Sequence, residues 1–240
     1  MKLFNWANIR LILMFSLVIF LYSFTSNRNN SRKLTKSTVV FVGDTAPYIT
    51  SETVNKLLIE NNKDVKSIGK DKLDLNKLER ELNANKMIEK SDVFVSIDGE
   101  LKAVVKQKTP IARIFDGEKS FYIDYKGNTM PLSSNYTARV PLVSGEINKK
   151  NSKKLAELFR IIYDDEFLKK NIIGVQIMPN GSIKMMNRNY DYQIDFGGTL
   201  RMKAKFNNYK AFFQKAVLDS SLNKYKTIDL RFAQQVVCTK

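Results

Sequence analysis

The sequence predicts an α+β protein. Its expected parts are one N-terminal transmembrane helix, a small sheet covered by two helices, and a mixed β-sheet domain with supporting helices. Three observations lead there. Residues 11–24 carry no charge and are almost wholly apolar. Residues 38–114 show a β-type run, two stretches of helical spacing, then two more β-type runs. From 115 to 240, β-type runs separated by turn residues dominate, with helical periodicity near 152–163 and 201–218.

The apolar stretch reads "RLILMFSLVIFLYSF", residues 10–24. Crossing a bilayer core takes about 20 helical residues. Arg10 can snorkel to the surface, so a span reaching from Trp6 to Thr25 is adequate, with Trp6 and Tyr22 near the interfaces. "YSFTSNRNN" is a poor cleavage site. An uncleaved signal anchor is therefore expected over 9–25, with 1–8 as a cytoplasmic tail and 26–37 as a polar, basic linker. Basic residues flank the span on both sides (Lys2 and Arg10; Arg28, Arg32, Lys33 and Lys36), so charge alone does not orient it. A short N-terminal tail rarely translocates, and the bulk of the chain is expected outside the cytoplasm.

The first domain is expected over 38–114. "STVVFVG" reads as a strand, and Ser51 as the N-cap of a helix with Val54, Leu57 and Leu58 on one face. Asp74 caps a second helix with Leu75, Leu78 and Leu82 at helical spacing. In "SDVFVSIDGELKAVVKQ" two β-rich runs flank Asp98-Gly99, the chemistry of a tight type I′ turn. One sheet with two helices on one side buries all these apolar faces.

The second domain is expected over 115–240. "SFYIDYKGNTMPLS" reads as a hairpin turning at Lys126, Gly127 and Asn128, and "IIGVQIMPNGSIKMMN" as another turning at Asn180-Gly181. Leu155, Leu158, Phe159 and Ile162 mark a helix between them. "YDYQIDFGG" is a further strand, followed by an amphipathic helix.

Composition removes several functions. Lys and Arg total 40 against 24 Asp and Glu, a net charge of +16, but six of the basic residues lie in 1–36, where no acid occurs. The remainder is spread thinly and no helix carries a basic stripe with interleaved aromatics, so no nucleic-acid partner is expected. The chain has no histidine and one cysteine, Cys238. A Ser-His-Asp triad, a Cys-His pair, a His- or Cys-built zinc site and an internal disulfide are thereby excluded. Cys238 reads as a small apolar strand residue. Gly197-Gly198 lacks the surroundings of a phosphate-binding loop, so no cofactor is expected. Asp164, Asp165 and Glu166 admit an acid/base role on a glycan, but they are neighbours after a helix, and N-capping of a short following helix accounts for them.

The last run, "TIDLRFAQQVVCTK", is β-type from Thr227 to Cys238 and contains no Lys, Gly or Pro in that stretch. At period two, Ile228, Leu230, Phe232, Gln234, Val236 and Cys238 share one face. Asp229, Arg231, Ala233, Gln235, Val237 and Thr239 share the other. Edge strands are normally defended by lysine, proline or a bulge. This one is not, although the sequence leaves open that it is an internal strand.

The order of parts and several motifs resemble the bacterial FtsQ/DivIB division family. Gly99, Leu101, Pro110, Ile111 and Ala112 fit the family's G-x-L-x-V-x-V-x-x-x-x-P-[IV]-A passage. "YIDYKGNTMPLS" and "VPLVSG" fit the start of its β domain, "IDLRF" its closing strand, and the "QVVCTK" ending is closest to members from Bacteroidetes. The resemblance implies a POTRA domain at 38–114 and a non-catalytic scaffold of the inner membrane. Such a protein is single-pass, with its bulk in the periplasm at the division septum. It recruits FtsB- and FtsL-like proteins, and through them controls an FtsW/FtsI-type septal synthase. It further implies that a partner adds an extended segment beside the last strand, here Ile228, Asp229, Leu230, Arg231, Phe232, Ala233, Gln234, Gln235, Val236 and Val237. The alternative is a POTRA-type adaptor for outer-membrane protein assembly or secretion.

Overall fold

The structure, a computed structural model, describes residues 6–30, 33–43, 46–59, 69, 73–117, 119–148, 151–232 and 234–240. Helix α1, Trp6–Asn30, is apolar on every side, with Leu13, Phe15 and Phe20 all exposed. Within it Asn8–Arg28 is long and apolar enough to cross a membrane. It continues into the stretch expected to be linker. Residues 26–30 contain no glycine or proline, and extending an existing helix costs far less than starting one.

The remaining chain forms two units, one ending at Gln107 and one running from Lys108, with Ala46–Tyr48 counted in the second. In the first unit, β1 (Lys36–Val42) is followed by α2 (Ser51–Leu58), α3 (Leu75–Ala84), β2 (Ile88–Val95) and β3 (Glu100–Gln107). The sheet order is β1-β3-β2, with β1 parallel and β2 antiparallel to β3. Leu101, Ala103 and Val105 of β3 are fully buried against Val54 and Leu58 of α2 and Leu82 of α3. Each fully buried Leu or Val side chain here is worth about 1.5–3 kcal/mol.

Two local expectations need correction. The N-cap of α2 is Thr50, not Ser51: Thr50 is extended and its side chain accepts from the Thr53 N–H. The turn at Asp98-Gly99 is not type I′, which needs positive φ at both residues. Gly99 alone has it, at +81°, and donates its N–H to Ser96 O. Asp74 does cap α3, accepting from Lys77 N–H at 2.9 Å.

The second unit contains β4 (Pro110–Asp116), β5 (Lys119–Asp124), β6 (Thr129–Met130), β7 (Leu142–Ser144), α4 (Ser152–Asp164), α5 (Glu166–Asn171), β8 (Ile172–Ile177), β9 (Ile183–Asn187), β10 (Gln193–Gly197), α6 (Met202–Leu218), β11 (Thr227–Asp229) and β12 (Val237–Thr239). Residues 110–114, expected to close the first domain, belong here. As part of β4 they pair with β5 on one side and β7 on the other.

The sheet runs β12-β11-β10-β9-β8-β7-β4-β5-β6. Register builds one continuous apolar row across it: Ile114, Val143, Val175, Met185, Ile194, Ile228 and Cys238 are successive partners. All but Cys238 are buried, in one core with Leu158, Phe159 and Ile162 of α4 and Phe206 and Tyr209 of α6. Residues one step along each strand, such as Leu142, Met186 and Val237, are exposed. That is the alternation of a sheet covered on one face.

Candidate functional site

The terminal run is not one strand. Thr227–Asp229 and Val237–Thr239 pair antiparallel, so β11 and β12 form a hairpin, and residues 230–236 connect them. The break starts at Asp229. Its carboxylate accepts from the Arg231 backbone N–H at 2.9 Å and from the Arg231 Nε at 3.0 Å, a local bond that turns the chain away from a ladder. The Arg231 stem lies over Gly197, where a Cβ would come within 2.7 Å of Arg231 Cγ. Phe232, which a continuous strand would bury, is 48% exposed.

The structure thus separates the predicted site residues. Ile228, Asp229 and Leu230 are buried, Arg231, Phe232, Gln234 and Gln235 are exposed, and Val236 is half-buried. Val237 lies in the outermost strand and is exposed. Ala233 lies outside the described residues.

Backbone parity shows what the margin offers. Gln193 N–H donates to Lys226 O, and Leu230 N–H donates to Asp195 O. In a parallel ladder this directs the Ile228 N–H and C=O toward β10, and those of Thr227 and Asp229 toward β12. In β12 it follows that Val237 and Thr239 bond to β11, while the Cys238 N–H and C=O face outward. Among the described residues no strand pairs with that outer side. Val237, Cys238 and Thr239 include neither lysine nor proline.

Charge and burial fix the platform behind this edge. Hydrogen bonding from Arg231 holds the Asp229 carboxyl below its ordinary range, against the opposing effect of burial. Lys205 is buried and donates to Phe196 O and Gly198 O, both at 2.8 Å. Burial lowers its pKa and nearby Asp229 works against that. Tyr192 and Tyr209 share a hydroxyl contact at 2.8 Å, and Asn187 Nδ2 donates to Tyr209. Burial raises both phenols, keeping them protonated. Burial also raises the Cys238 thiol, away from thiolate chemistry.

The acidic run is engaged locally. Asp165 caps α5, accepting from the Phe167 and Leu168 N–H groups, and is ion-paired with Lys210. Asp164 accepts from the Tyr125 hydroxyl at 2.9 Å, and Glu166 sits 3.7 Å from Lys170. Among the described residues no group of three or more Cys, Asp or Glu side chains is arranged to hold a metal ion.

Sequence reasoning missed a basic concavity of about 650 Å³ whose lining includes Arg139, Lys169, Lys170, Arg188, Glu166 and Asn171. These residues come from separate segments, so no run of charge in the sequence reveals it.

The family model described as "FtsQ/DivIB, C-terminal related" matches residues 109–239. Among solved structures, the chain is similar to the major extracytoplasmic domain of the trans isomer of the bacterial cell division protein DivIB from Geobacillus stearothermophilus. The two are 13% identical, the match covers 47% of this chain and 95% of that one, and the TM-score is 0.32. A superposition this limited adds nothing to the family match. No curated protein matches the chain.

Proposed function

Since the chain belongs to the FtsQ/DivIB, C-terminal related family, we propose that it is a membrane-anchored, non-catalytic scaffold of cell division. The observation that carries the reading is β12, whose outer backbone groups have no strand partner among the described residues. An extended segment of an FtsB-like protein docks there by β-augmentation: main-chain hydrogen bonds supply affinity and alternate side chains supply selectivity. FtsL accompanies it, and the assembly governs an FtsW/FtsI-type septal synthase. Helix α1 is the anchor, with the bulk of the chain on the periplasmic side at the septum, and the first unit acts as a POTRA domain.

Within the run from Ile228 to Val237, the roles divide. Val237, continued by Cys238 and Thr239, forms the docking margin. Ile228, Asp229 and Leu230 support it from within, and Arg231, Phe232, Gln234 and Gln235 flank it. Proline removes one N–H and is tolerated at a strand edge only where that N–H faces outward. The full chain, solubilised in mild detergent, is used to co-purify FtsB- and FtsL-like proteins. Cys238→Pro is expected to abolish capture with little change in thermal midpoint, Cys238→Ala to retain capture, and Val237→Pro to lower the midpoint. Failure of the unaltered chain to capture either protein overturns the reading.

A further inference from the structure

The basic concavity of the second unit is the feature that the division role leaves unused. Four cationic side chains, Arg139, Lys169, Lys170 and Arg188, share its wall with one carboxylate, Glu166. That carboxylate is 3.7 Å from Lys170, and both side chains of the pair are more than three-quarters exposed, so the pair is weak, and four cations against one carboxylate leave the wall with a net charge of +3. Its volume of about 650 Å³ lies in the range of small-ligand sites, about 300–1,000 Å³.

Two of the four cations, Arg188 and Lys169, are restrained. Arg188 donates its Nε to Lys170 O at 2.8 Å, and its backbone N–H to Asn171 O at 2.8 Å, which fixes the guanidinium while leaving its two terminal nitrogens available. The Lys169 ammonium sits 4.0 Å from the centroid of the Tyr163 ring, a cation–π contact that restrains its stem. Asn171 is anchored by its Nδ2 on Phe167 O. Gathering like charges in one concavity costs repulsion that an anionic ligand removes. Two planar guanidinium forks and two compact ammonium groups suit the non-bridging oxygens of an anionic phosphate group, whether free or esterified.

We infer that this concavity is a binding site for a phosphate-bearing anion. Diphosphate in solution and the head group of an anionic phospholipid share the chemistry it recognises. The inference rests on the second unit alone and is independent of the docking edge.

The test uses the full chain in non-ionic detergent at physiological ionic strength. Inorganic pyrophosphate and short-chain phosphatidylglycerol are each titrated by calorimetry. The Arg139→Gln/Lys169→Gln double variant and the single Lys170→Gln variant are compared with a Lys203→Gln/Lys215→Gln control, which removes the same charge from exposed positions on α6. At least one ligand binds the unaltered chain, the groove double variant binds it at least tenfold more weakly, Lys170→Gln weakens it measurably, and the control is unchanged. Tighter binding of pyrophosphate assigns the site to a soluble anion, and tighter binding of phosphatidylglycerol assigns it to a lipid head group. Absence of binding by both ligands overturns the inference, as does an equal loss in the groove and control variants.

Discussion

Cys238 stands directly opposite Ile228 in the last ladder of the nine-stranded sheet. The pairing aligns the thiol with a row of buried side chains that begins at Ile114, and turns the Cys238 backbone N–H and C=O to the margin that no strand pairs with among the described residues. One residue therefore ends the apolar row with its side chain and presents its backbone at the outer side of β12.

The close approach of Arg231 to Gly197 gives a first prediction. Gly197 has φ +72°, and a Cβ there meets Arg231 Cγ at 2.7 Å. Gly197→Ala is expected to destabilise the protein by about 1–2 kcal/mol from backbone conformation alone. It also displaces the Arg231 stem, and if the proposed docking holds it is expected to weaken partner capture. Denaturant unfolding and co-purification measure the two effects separately.

Lys205 supplies a second. It is the donor to two backbone carbonyls, Phe196 O and Gly198 O, at the exit of β10. Lys205→Met keeps most of the volume and removes the donor, leaving those acceptors unmatched at a cost of about 1–3 kcal/mol. Relief from burying a charge works the other way. The lost hydrogen bonds are expected to dominate, so the unfolding midpoint falls.

The third concerns acid. Burial pushes the Asp165 carboxyl up, but hydrogen bonds from Lys210 and the Leu168 N–H outweigh it and leave the group below its ordinary value. Asp229 is lowered chiefly by Arg231, and Glu100 is held at about 2 by the Thr38 hydroxyl, Lys36 and Lys102. A carboxyl depressed in the folded state stabilises it fully above the unfolded pKa, about 4, and loses that contribution as pH falls through the folded value. Thermal midpoints should therefore drop between about pH 4 and pH 2. The drop should be smaller for Asp165→Asn, which starts from a lower midpoint at neutral pH.

Much of this architecture is legible in the sequence because period and turn chemistry are local. Leu155, Leu158, Phe159 and Ile162 announce α4, and Asn180-Gly181 announces the β8–β9 hairpin. The two-layer plan of the first unit follows from apolar faces that have only one way to be buried together. What was misread depends on competition between nearby groups or on distant neighbours. The Asp229–Arg231 bond interrupts a run whose alternation alone predicts a twelve-residue strand. Strand order is non-local as well: β11 pairs in parallel with β10 across the whole of α6, and that parity decides which amides of β12 face outward. The basic concavity is hidden for the same reason, since Arg139 and Arg188 meet only in the folded unit.

The most direct test of the proposed docking edge is residue-resolved amide hydrogen exchange of the full chain, alone and with the proposed FtsB-like partner. Without the partner, the Val237 and Thr239 amides are expected to be protected by their bonds to β11, and the Cys238 amide to exchange freely. On binding, Cys238 should slow at least tenfold while the other two change little. A stable complex in which the Cys238 amide still exchanges as fast as in the free protein would contradict the account.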